Sequence, residues 1–261
     1  MLCKTKTINN IAEKYNLAVP RYTSYPTAPK FSAIKKENYL SALKQLPDSA
    51  DYSLYIHIPF CRQLCWYCGC QTKITKRSDL IEKYAYALFH EIELVGKYLD
   101  HRRLNVSHIH FGGGTPNTLS ASLFEKLFSH LRQHFTILED AEIAIEIDPR
   151  TLNDGDIQTY ADLGINRVSF GIQDFNIDVQ KAIHRIQPFD LVADKLQKMR
   201  DAGIKAFNFD LIYGLPNQNN QTIEETLDRV KTLSPDRLSV FAYAHVPWVK
   251  PHQKQLEKYH M

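Results

Sequence analysis

The sequence lacks the features that mark membrane, secreted or nucleic-acid-binding proteins. It has no apolar run long enough to span a membrane and no low-complexity tract. Its N-terminal segment has no apolar core of the kind that a secretory signal carries. The formal net charge is only +3 over 261 residues, with Lys and Arg dispersed along the chain. We therefore expect a cytoplasmic protein that binds neither a membrane nor a nucleic acid.

Cysteine is scarce outside one short segment. The chain has five cysteines, and all except Cys3 fall between Cys61 and Cys70. A disulfide framework spreads its cysteines to join distant loops of a small secreted chain, so this clustering argues against one. A structural zinc site usually needs a second cysteine pair, or a histidine pair at a fixed spacing. Neither is present, so zinc is kept only as an alternative to the iron–sulfur interpretation.

The clustered cysteines follow an apolar run at the spacing Cys61-x3-Cys65-x2-Cys68-x-Cys70. Three thiolates on a C-x3-C-x2-C loop can hold three corners of a 4Fe–4S cluster and leave the fourth iron open. An open iron permits chemistry as well as electron storage. An iron–sulfur site is therefore the favoured interpretation of this loop.

The rest of the chain alternates between short apolar segments and amphipathic ones. Between the short segments, apolar residues recur every three or four positions, as in amphipathic helices. Thr222–Glu225 has the form of a capping box at the start of one of these helices. Repeated β–α crossovers give a parallel, twisted α/β sheet that can curl toward a barrel. The six predicted strands are 52–58, 106–111, 142–147, 167–172, 206–213 and 237–243.

Glycine and acidic residues stand where the predicted strands end, which is where ligands bind in such folds. Gly112–Gly114 follows the second strand, and without Cβ atoms its backbone can approach a ligand closely. The alternative for this run is an ordinary loop. Glu146 lies on the third strand, where an acidic group needs a partner such as a ribose hydroxyl or an ammonium group. Its alternative is a structural ion pair with Arg167 or Arg185.

Several motifs together resemble the oxygen-independent coproporphyrinogen III oxidases, one branch of the radical S-adenosylmethionine (SAM) enzymes. The resemblance implies an open (β/α)6 partial barrel with an N-terminal extension. It also implies three regions: 1–50 as the extension, 51–246 as the radical SAM core and 247–261 as the start of a C-terminal region. The matching motifs are Pro20–Thr27, Tyr55–Cys70, His110–Pro116, Glu146–Arg150, Ser169–Phe175 and Asp210–Pro216.

The same resemblance implies the cofactors and the site residues. A 4Fe–4S cluster on Cys61, Cys65 and Cys68 would act with SAM, of which this family holds two molecules in one site. His57 matches a family histidine close to the reacting centre, and Cys70 matches the fourth family cysteine, which is not a cluster ligand. Both are candidate catalytic residues, with a packed core role as the alternative for each. The SAM contacts carried over by motif are Tyr55, Tyr67, Gly113, Gly114, Thr115, Glu146, Gln173, Arg185, Asp210 and Ala244.

By this resemblance the chain is an oxidoreductase of anaerobic haem biosynthesis. Radical chemistry would decarboxylate two propionates of coproporphyrinogen III and give protoporphyrinogen IX. The implied partners are that substrate and a one-electron donor such as flavodoxin or ferredoxin, and a monomer is expected. Because the substrate carries four carboxylates, we expect arginines near the site, with Arg21 as one candidate.

Two other functions compete with this one. A haem-delivery protein of the same superfamily would share the three-cysteine loop, but Cys70 and the segment Arg21–Thr27 favour the oxidase. A simple electron-transfer protein would not need the glycine run or six β–α units. Members of the family also continue far beyond the sixth strand, whereas this chain ends at Met261. We therefore expect a truncated product or fragment, with weak or absent oxidase activity of its own and an exposed apolar patch.

Overall fold

The computed structural model describes residues 30–100 and 102–259, together with Lys14. Leu43–Met261 forms one compact unit, and the described residues before Leu43 belong to another. The candidate Arg21 and the segment 20–27 lie outside the described residues. The boundaries 1–50, 51–246 and 247–261 remain a prediction.

Strands and helices alternate along the described chain. The helices are α1 Lys36–Lys44, α2 Ser78–Tyr98, α3 Ala121–His134, α4 Asp154–Asp162, α5 Ile177–Ala182, α6 Phe189–Asp201 and α7 Asn220–Leu233. The strands are β1 Asp51–Ile58, β2 Phe60–Cys61, β3 Lys73–Ile74, β4 Asn105–Gly113, β5 Thr136–Ile147, β6 Arg167–Gln173, β7 Ala206–Tyr213 and β8 Arg237–Ala242. Short 3-10 helices cover Pro116–Thr118, Pro149–Thr151 and Pro251–Leu256. Among the residues described, none of the helices combines the length and apolarity needed to cross a bilayer.

Six strands form one parallel sheet in the order β1-β4-β5-β6-β7-β8. The predicted parallel α/β sheet is therefore confirmed, with its six strands close to their predicted positions. β5 begins earlier than predicted because Thr136 and Ile137 pair with the first residues of β4. β1 and β8 are the two edges of the sheet.

The sheet has one apolar face and one polar face, because successive side chains of a strand point to opposite sides. Along β7, Phe207 and Phe209 are fully buried in the main hydrophobic core. Between and after them, Asn208 and Asp210 hydrogen-bond to each other on the other side. The helices cover the apolar face, so the polar face and the strand ends are left for function.

The start of α7 differs from the sequence-based prediction. The helix begins at Asn220, and Asn219 is its N-cap. The side chain of Asn219 accepts a hydrogen bond from the Thr222 N–H at 3.0 Å, and the Thr222 hydroxyl accepts one from the Asn219 N–H at 2.9 Å. The capping box predicted at Thr222–Glu225 is therefore wrong by three residues. Asn is as good an N-cap as Thr, so the earlier residue takes that position.

Apolar side chains of the edge strand β8 are exposed. Leu238 is 44 % exposed, Val240 56 % and Phe241 54 %. Leu238 and Val240 share one face of this strand and Phe241 lies on the other, so the exposed apolar patch expected from the sequence stays a prediction.

Phe111 is the test residue for the core, because it is fully buried and contacts the rings of Phe124 and Phe128 at 5.4 and 5.6 Å between centroids. We expect Phe111→Ala to lower the free energy of unfolding by about 3–5 kcal/mol, measured by urea denaturation. The matched control, Phe241→Ala at an exposed position, should cost less than about 1 kcal/mol. Equal losses in the two variants would contradict the placement of the core.

Candidate active site

A cavity of about 240 Å³ lies at the carboxyl ends of the strands. It brings together the predicted site residues from β4, β5, β6, β7 and the loop after β1. Tyr55, His57 and Ala244 are the predicted residues outside its lining. The predicted residues that line it are Cys61, Cys65, Tyr67, Cys68, Cys70, Gly113, Gly114, Thr115, Glu146, Gln173, Arg185 and Asp210.

The four clustered cysteines lie on residues 61–72, which we call the cysteine loop. Its two ends are held together by the pairing of β2 with β3, in which Cys61 lies opposite Ile74. The N–H of Thr75 donates to the Cys61 carbonyl at 3.0 Å and closes the base of the loop. A short closed loop of this kind presents several thiols to one cavity.

Donors from the segments after β4, β5 and α5 contact two of the thiols. The Thr115 hydroxyl donates to Cys61 Sγ at 3.4 Å. Burial nevertheless raises the pKa of Cys61 to about 11. Cys65 Sγ accepts from Arg150 Nη2 at 3.5 Å and from Arg185 Nη1 at 3.7 Å. Such donors would stabilise a thiolate ligand, as the groups around metal-bound thiolates do.

Cys68 and Cys70 lie close enough for each to shift the pKa of the other. The interaction with Cys70 lowers the pKa of Cys68 to about 6. The pKa of Cys70 is raised by the same interaction, so Cys70 keeps its proton. The two cysteines therefore differ chemically: Cys68 is suited to act as a thiolate and Cys70 as a thiol donor.

A buried carboxylate joins the arginines that reach Cys65. Asp148 accepts from Arg150 Nη2 at 2.6 Å and from Arg185 Nη1 at 3.2 Å. Burial alone would raise the pKa of Asp148, but the charges of Arg185 and Arg150 outweigh it and hold the pKa below its usual value. Arg185 also donates to the Gly171 carbonyl at 2.7 Å. Sequence reasoning did not select Arg150, although its place in the Glu146–Arg150 motif was a usable signal.

The glycine run packs closely against the chain around β1. Gly113 has a φ of +114°, and a Cβ atom there would lie 2.5 Å from the His57 ring. A Cβ atom on Gly114 would lie 2.7 Å from the Phe60 carbonyl oxygen. The Gly114 N–H donates to the Ile58 carbonyl at 2.9 Å. Glycine is therefore required here by contacts within the chain, in addition to the ligand approach that the sequence suggested.

Glu146 pairs with a histidine on the neighbouring strand. Its Oε1 lies 3.0 Å from His110 Nε2, and this bond raises the pKa of His110. The Gly113 N–H donates to the other carboxylate oxygen at 3.3 Å. The alternative ion pair with Arg167 or Arg185 is wrong, because both arginines bind other carboxylates. Sequence reasoning missed His110 because its partner is set by strand register.

Tyr55 and His57 lie beside this pair. The Tyr55 ring stacks on the His110 ring, with centroids 5.8 Å apart. The Tyr55 hydroxyl lies 3.0 Å from His57 Nδ1, and His57 Nε2 lies 3.2 Å from the Gln71 carbonyl. Since a carbonyl can only accept, Nε2 carries the proton and Nδ1 accepts from Tyr55. His57 thereby joins β1 to the end of the cysteine loop.

Asp210 stands at the centre of a polar network across the inner face. It accepts from Asn208 Nδ2 at 2.8 Å and from the Ser169 hydroxyl at 3.3 Å. Burial raises the pKa of Asp210. Sequence reasoning missed Asn208 and Ser169, whose position on the polar face of their strands was the available signal. Gln173 closes β6 with a φ of +66°.

The donor set fits an iron–sulfur cluster better than a single metal ion. Within residues 30–100 and 102–259, no three His, Cys, Asp or Glu side chains are arranged to hold one ion. The described cysteines are free thiols. A cluster binds its thiolates through different iron atoms, so its ligands surround a cavity instead of meeting at a point. The three thiols and their hydrogen-bond donors meet this requirement.

Comparison with known proteins assigns the family. Residues 55–230 match the family model of the Radical SAM superfamily. The chain belongs to the Radical SAM superfamily. Proteins of this superfamily use a 4Fe–4S cluster and SAM.

Individual relatives point to one branch of the superfamily. The chain is 50 % identical over 241 residues to the oxygen-independent coproporphyrinogen III oxidase of Bradyrhizobium diazoefficiens, which covers 92 % of this chain and 53 % of the relative. It is 42 % identical over 250 residues to the enzyme of that name from Helicobacter pylori, covering 94 % and 54 %. The solved structure of the radical SAM enzyme coproporphyrinogen III oxidase from Escherichia coli superposes with a TM-score of 0.85 at 40 % identity, covering 90 % of this chain and 54 % of that one.

These matches confirm the predicted open partial barrel of the radical SAM type. The chain spans about half the length of the relatives it matches.

Asp148 offers a test of the arginine pairing. We expect Asp148→Asn to destabilise the chain by about 3–5 kcal/mol at pH 7, because two guanidinium groups lose their buried counter-charge. The depressed pKa of Asp148 stabilises the fold above the unfolded value of about 3.9, and this contribution is lost as the pH falls through the folded value. The difference in unfolding free energy between wild type and Asp148→Asn should therefore shrink below about pH 4. Urea denaturation at a series of pH values measures this difference.

The control for this experiment is Asp79→Asn, which removes an exposed ion pair with Arg77. It should change stability little at any pH. If the difference in unfolding free energy between wild type and Asp148→Asn stayed constant from pH 7 to pH 3, the charge of Asp148 would not contribute to stability.

Proposed function

We propose that Cys61, Cys65 and Cys68 bind a 4Fe–4S cluster and that the adjoining rim binds SAM. One observation carries this proposal: three thiols of one loop face the glycine run and Glu146 across a single cavity. When bound, a reduced cluster and SAM supply a one-electron reaction that removes a hydrogen atom from an unactivated C–H bond. The task of the protein is to bind, orient and exclude water.

The polar residues of the rim provide complementary contacts for SAM. Glu146 and Asp210 are carboxylates on the inner face, each placed to accept from an ammonium or ribose hydroxyl group. The turn after β4, with Thr115, lies beside Cys61. Arg185 neutralises Asp148 and contacts Cys65, so its proposed role is to support the SAM site and the cluster together. Tyr67, Gln173 and Ala244 are further proposed contacts.

We also propose that the site takes two SAM molecules, as the resemblance implies. The polar surface supports this proposal because it extends past the cavity lining. Tyr55, His57 and His110 continue it along β1 and β4. The rim is therefore longer than one cavity.

His57 and Cys70 remain the proposed catalytic residues. Cys70 is exposed, lines the cavity and keeps its proton, so it can supply a thiol hydrogen at the rim. His57 holds its proton on Nε2 and orients the Tyr55 hydroxyl through Nδ1. The thiol of Cys70 and the imidazole of His57 are both groups that can donate or hold a hydrogen beside the reacting centre.

We propose that the protein to which this chain corresponds converts coproporphyrinogen III to protoporphyrinogen IX by oxidative decarboxylation of two propionates. The names of its relatives and the described site support this activity. Arginines were expected for the propionates. The two that line the cavity, Arg150 and Arg185, share the single carboxylate of Asp148, so this group carries one positive charge in excess.

A one-electron donor such as flavodoxin or ferredoxin is the proposed protein partner. The exposed positions Gln63, Gly69 and Cys70 leave the outer side of the cysteine loop accessible to it. The free thiols of this loop suit a reducing compartment, which supports a cytoplasmic location.

Replacement of each cysteine by Ala tests the ligand assignment. After anaerobic reconstitution, we expect Cys61→Ala, Cys65→Ala and Cys68→Ala each to lose most of the bound iron and sulfide, because a cube held at two corners dissociates. Cys70→Ala is the matched control on the same loop and should keep its iron. Full iron content in any of the first three, or loss of iron from Cys70→Ala, would show that the ligands are assigned wrongly.

Gly113→Val tests the SAM rim. A side chain at this φ of +114° must displace the His57 ring and the turn beside the cavity, so SAM affinity measured by equilibrium dialysis should fall more than about tenfold. The matched control is Gly155→Ala in α4, where an added Cβ meets no atom within 4 Å. If a folded Gly113→Val protein bound SAM with unchanged affinity, the proposed SAM site at this rim would be contradicted.

The activity itself can be tested in a chimera that joins this chain to the remaining half of the Bradyrhizobium diazoefficiens relative. Under anaerobic conditions with SAM, reductant and coproporphyrinogen III, we expect protoporphyrinogen IX to form and to require Cys61. The chimera carrying Cys61→Ala is the control. A chimera that cleaves SAM to methionine but leaves coproporphyrinogen III unchanged would overturn the proposed substrate and keep the radical SAM assignment.

A further inference from the structure

The chain after β8 returns to the cysteine loop. Residues 250–258, which we call the return segment, contain the 3-10 helix Pro251–Leu256. The cysteine loop follows the edge strand β1, and the return segment follows the opposite edge strand β8. Contacts between them therefore join the two ends of the open sheet at the mouth of the site.

Three side chains of the return segment donate to carbonyls of the cysteine loop. Gln253 Nε2 donates to Tyr67 O at 2.9 Å. Lys250 Nζ donates to Cys70 O at 2.7 Å. His252 Nε2 lies 2.8 Å from the carbonyl of Cys68, which can only accept, so this nitrogen carries the proton.

Gln253 links the cysteine loop to the chain after β8. It is 0 % exposed, and its amide nitrogen also donates to the Ala244 carbonyl at 3.2 Å. Its amide oxygen accepts from the Val246 N–H at 2.7 Å. Both amide donors and the amide oxygen are thus used, between the cysteine loop on one side and the chain after β8 on the other. A buried amide with every group satisfied fixes distances well, because any movement leaves a polar group unpaired.

The return segment also contacts Trp66 of the cysteine loop. Lys258 Nζ lies 4.4 Å from the Trp66 ring centroid. The same ring stacks on the His184 ring, with centroids 5.0 Å apart. The backbone N–H of Trp66 donates to the Ile183 carbonyl at 3.0 Å. The loop is therefore held from two sides, by the chain after β6 and by the return segment.

We propose that Gln253 is a positioning residue that fixes the cysteine loop relative to the end of β8. Through one amide it sets the spacing between Tyr67 and Ala244, two of the proposed SAM contacts. Every contact that sets this spacing is made within the chain itself. The proposal rests on the proposed function for its catalytic meaning, while its geometry does not depend on that function.

Hydrogen–deuterium exchange of the cofactor-free, full 261-residue chain tests the proposal. We expect Gln253→Leu to speed exchange of the cysteine-loop peptide about tenfold, because three hydrogen bonds of one buried side chain are lost. Peptides from β4 and β5 should be unchanged, which separates loss of positioning from general destabilisation. The matched control is Gln255→Leu, the same substitution at an exposed position of the same helix. It should leave every peptide unchanged.

Equal exchange of the cysteine loop in Gln253→Leu and Gln255→Leu would overturn the proposal, and so would faster exchange throughout the chain. If Gln253→Leu does not fold, Gln253→Met takes its place, because it keeps the length and flexibility of the side chain and removes its three hydrogen bonds. It should raise exchange of the cysteine loop several-fold, and no change would overturn the proposal.

A second measurement uses reconstituted protein. Gln253→Leu should release iron to a chelator several-fold faster than Gln255→Leu. If the cysteine variants show that no cluster is bound, the proposed function fails while the exchange result still stands. Failure of the two proposals can therefore be distinguished.

Discussion

The rim of the sheet depends on one buried carboxylate between two guanidinium groups. Asp148, at the end of β5, binds Arg150 and Arg185, and both arginines reach the sulfur of Cys65. Neither arginine could stay beside the cavity without this counter-charge, because an unpaired buried charge is strongly destabilising. The arrangement connects β5, β6 through Gly171, and the cysteine loop. It also gives the thiol of Cys65 a positive environment, which a thiolate ligand requires.

Parallel topology explains why the remaining groups meet at this rim. All strands of the main sheet run the same way, so their carboxyl ends lie together. Alternation along each strand then sends Glu146 and Asp210 to the polar face while apolar neighbours pack under the helices. The glycine run after β4 completes the rim, since only residues without a side chain fit against His57 and Phe60.

The sequence predicts what depends on local pattern. Apolar runs locate the six strands, and cysteine spacing locates the loop that carries the thiols. The sequence does not show contacts set by register or by distant segments. His110 pairs with Glu146 only because β4 lies beside β5, and Gln253 meets Tyr67 only because the chain returns after β8. The start of α7 was misplaced for a different reason, since Asn219 and Thr222 are both competent N-caps and only the backbone decides between them.

The central claim is that the thiols and the glycine–acidic rim form one site, in which a 4Fe–4S cluster and SAM bind side by side. Electron paramagnetic resonance of the reconstituted, reduced chain tests it most directly, because the spectrum of a cluster with an open iron changes when a ligand binds that iron. The account predicts a rhombic or axial 4Fe–4S signal whose g values shift on addition of SAM. A cluster signal that is identical with and without saturating SAM would contradict it.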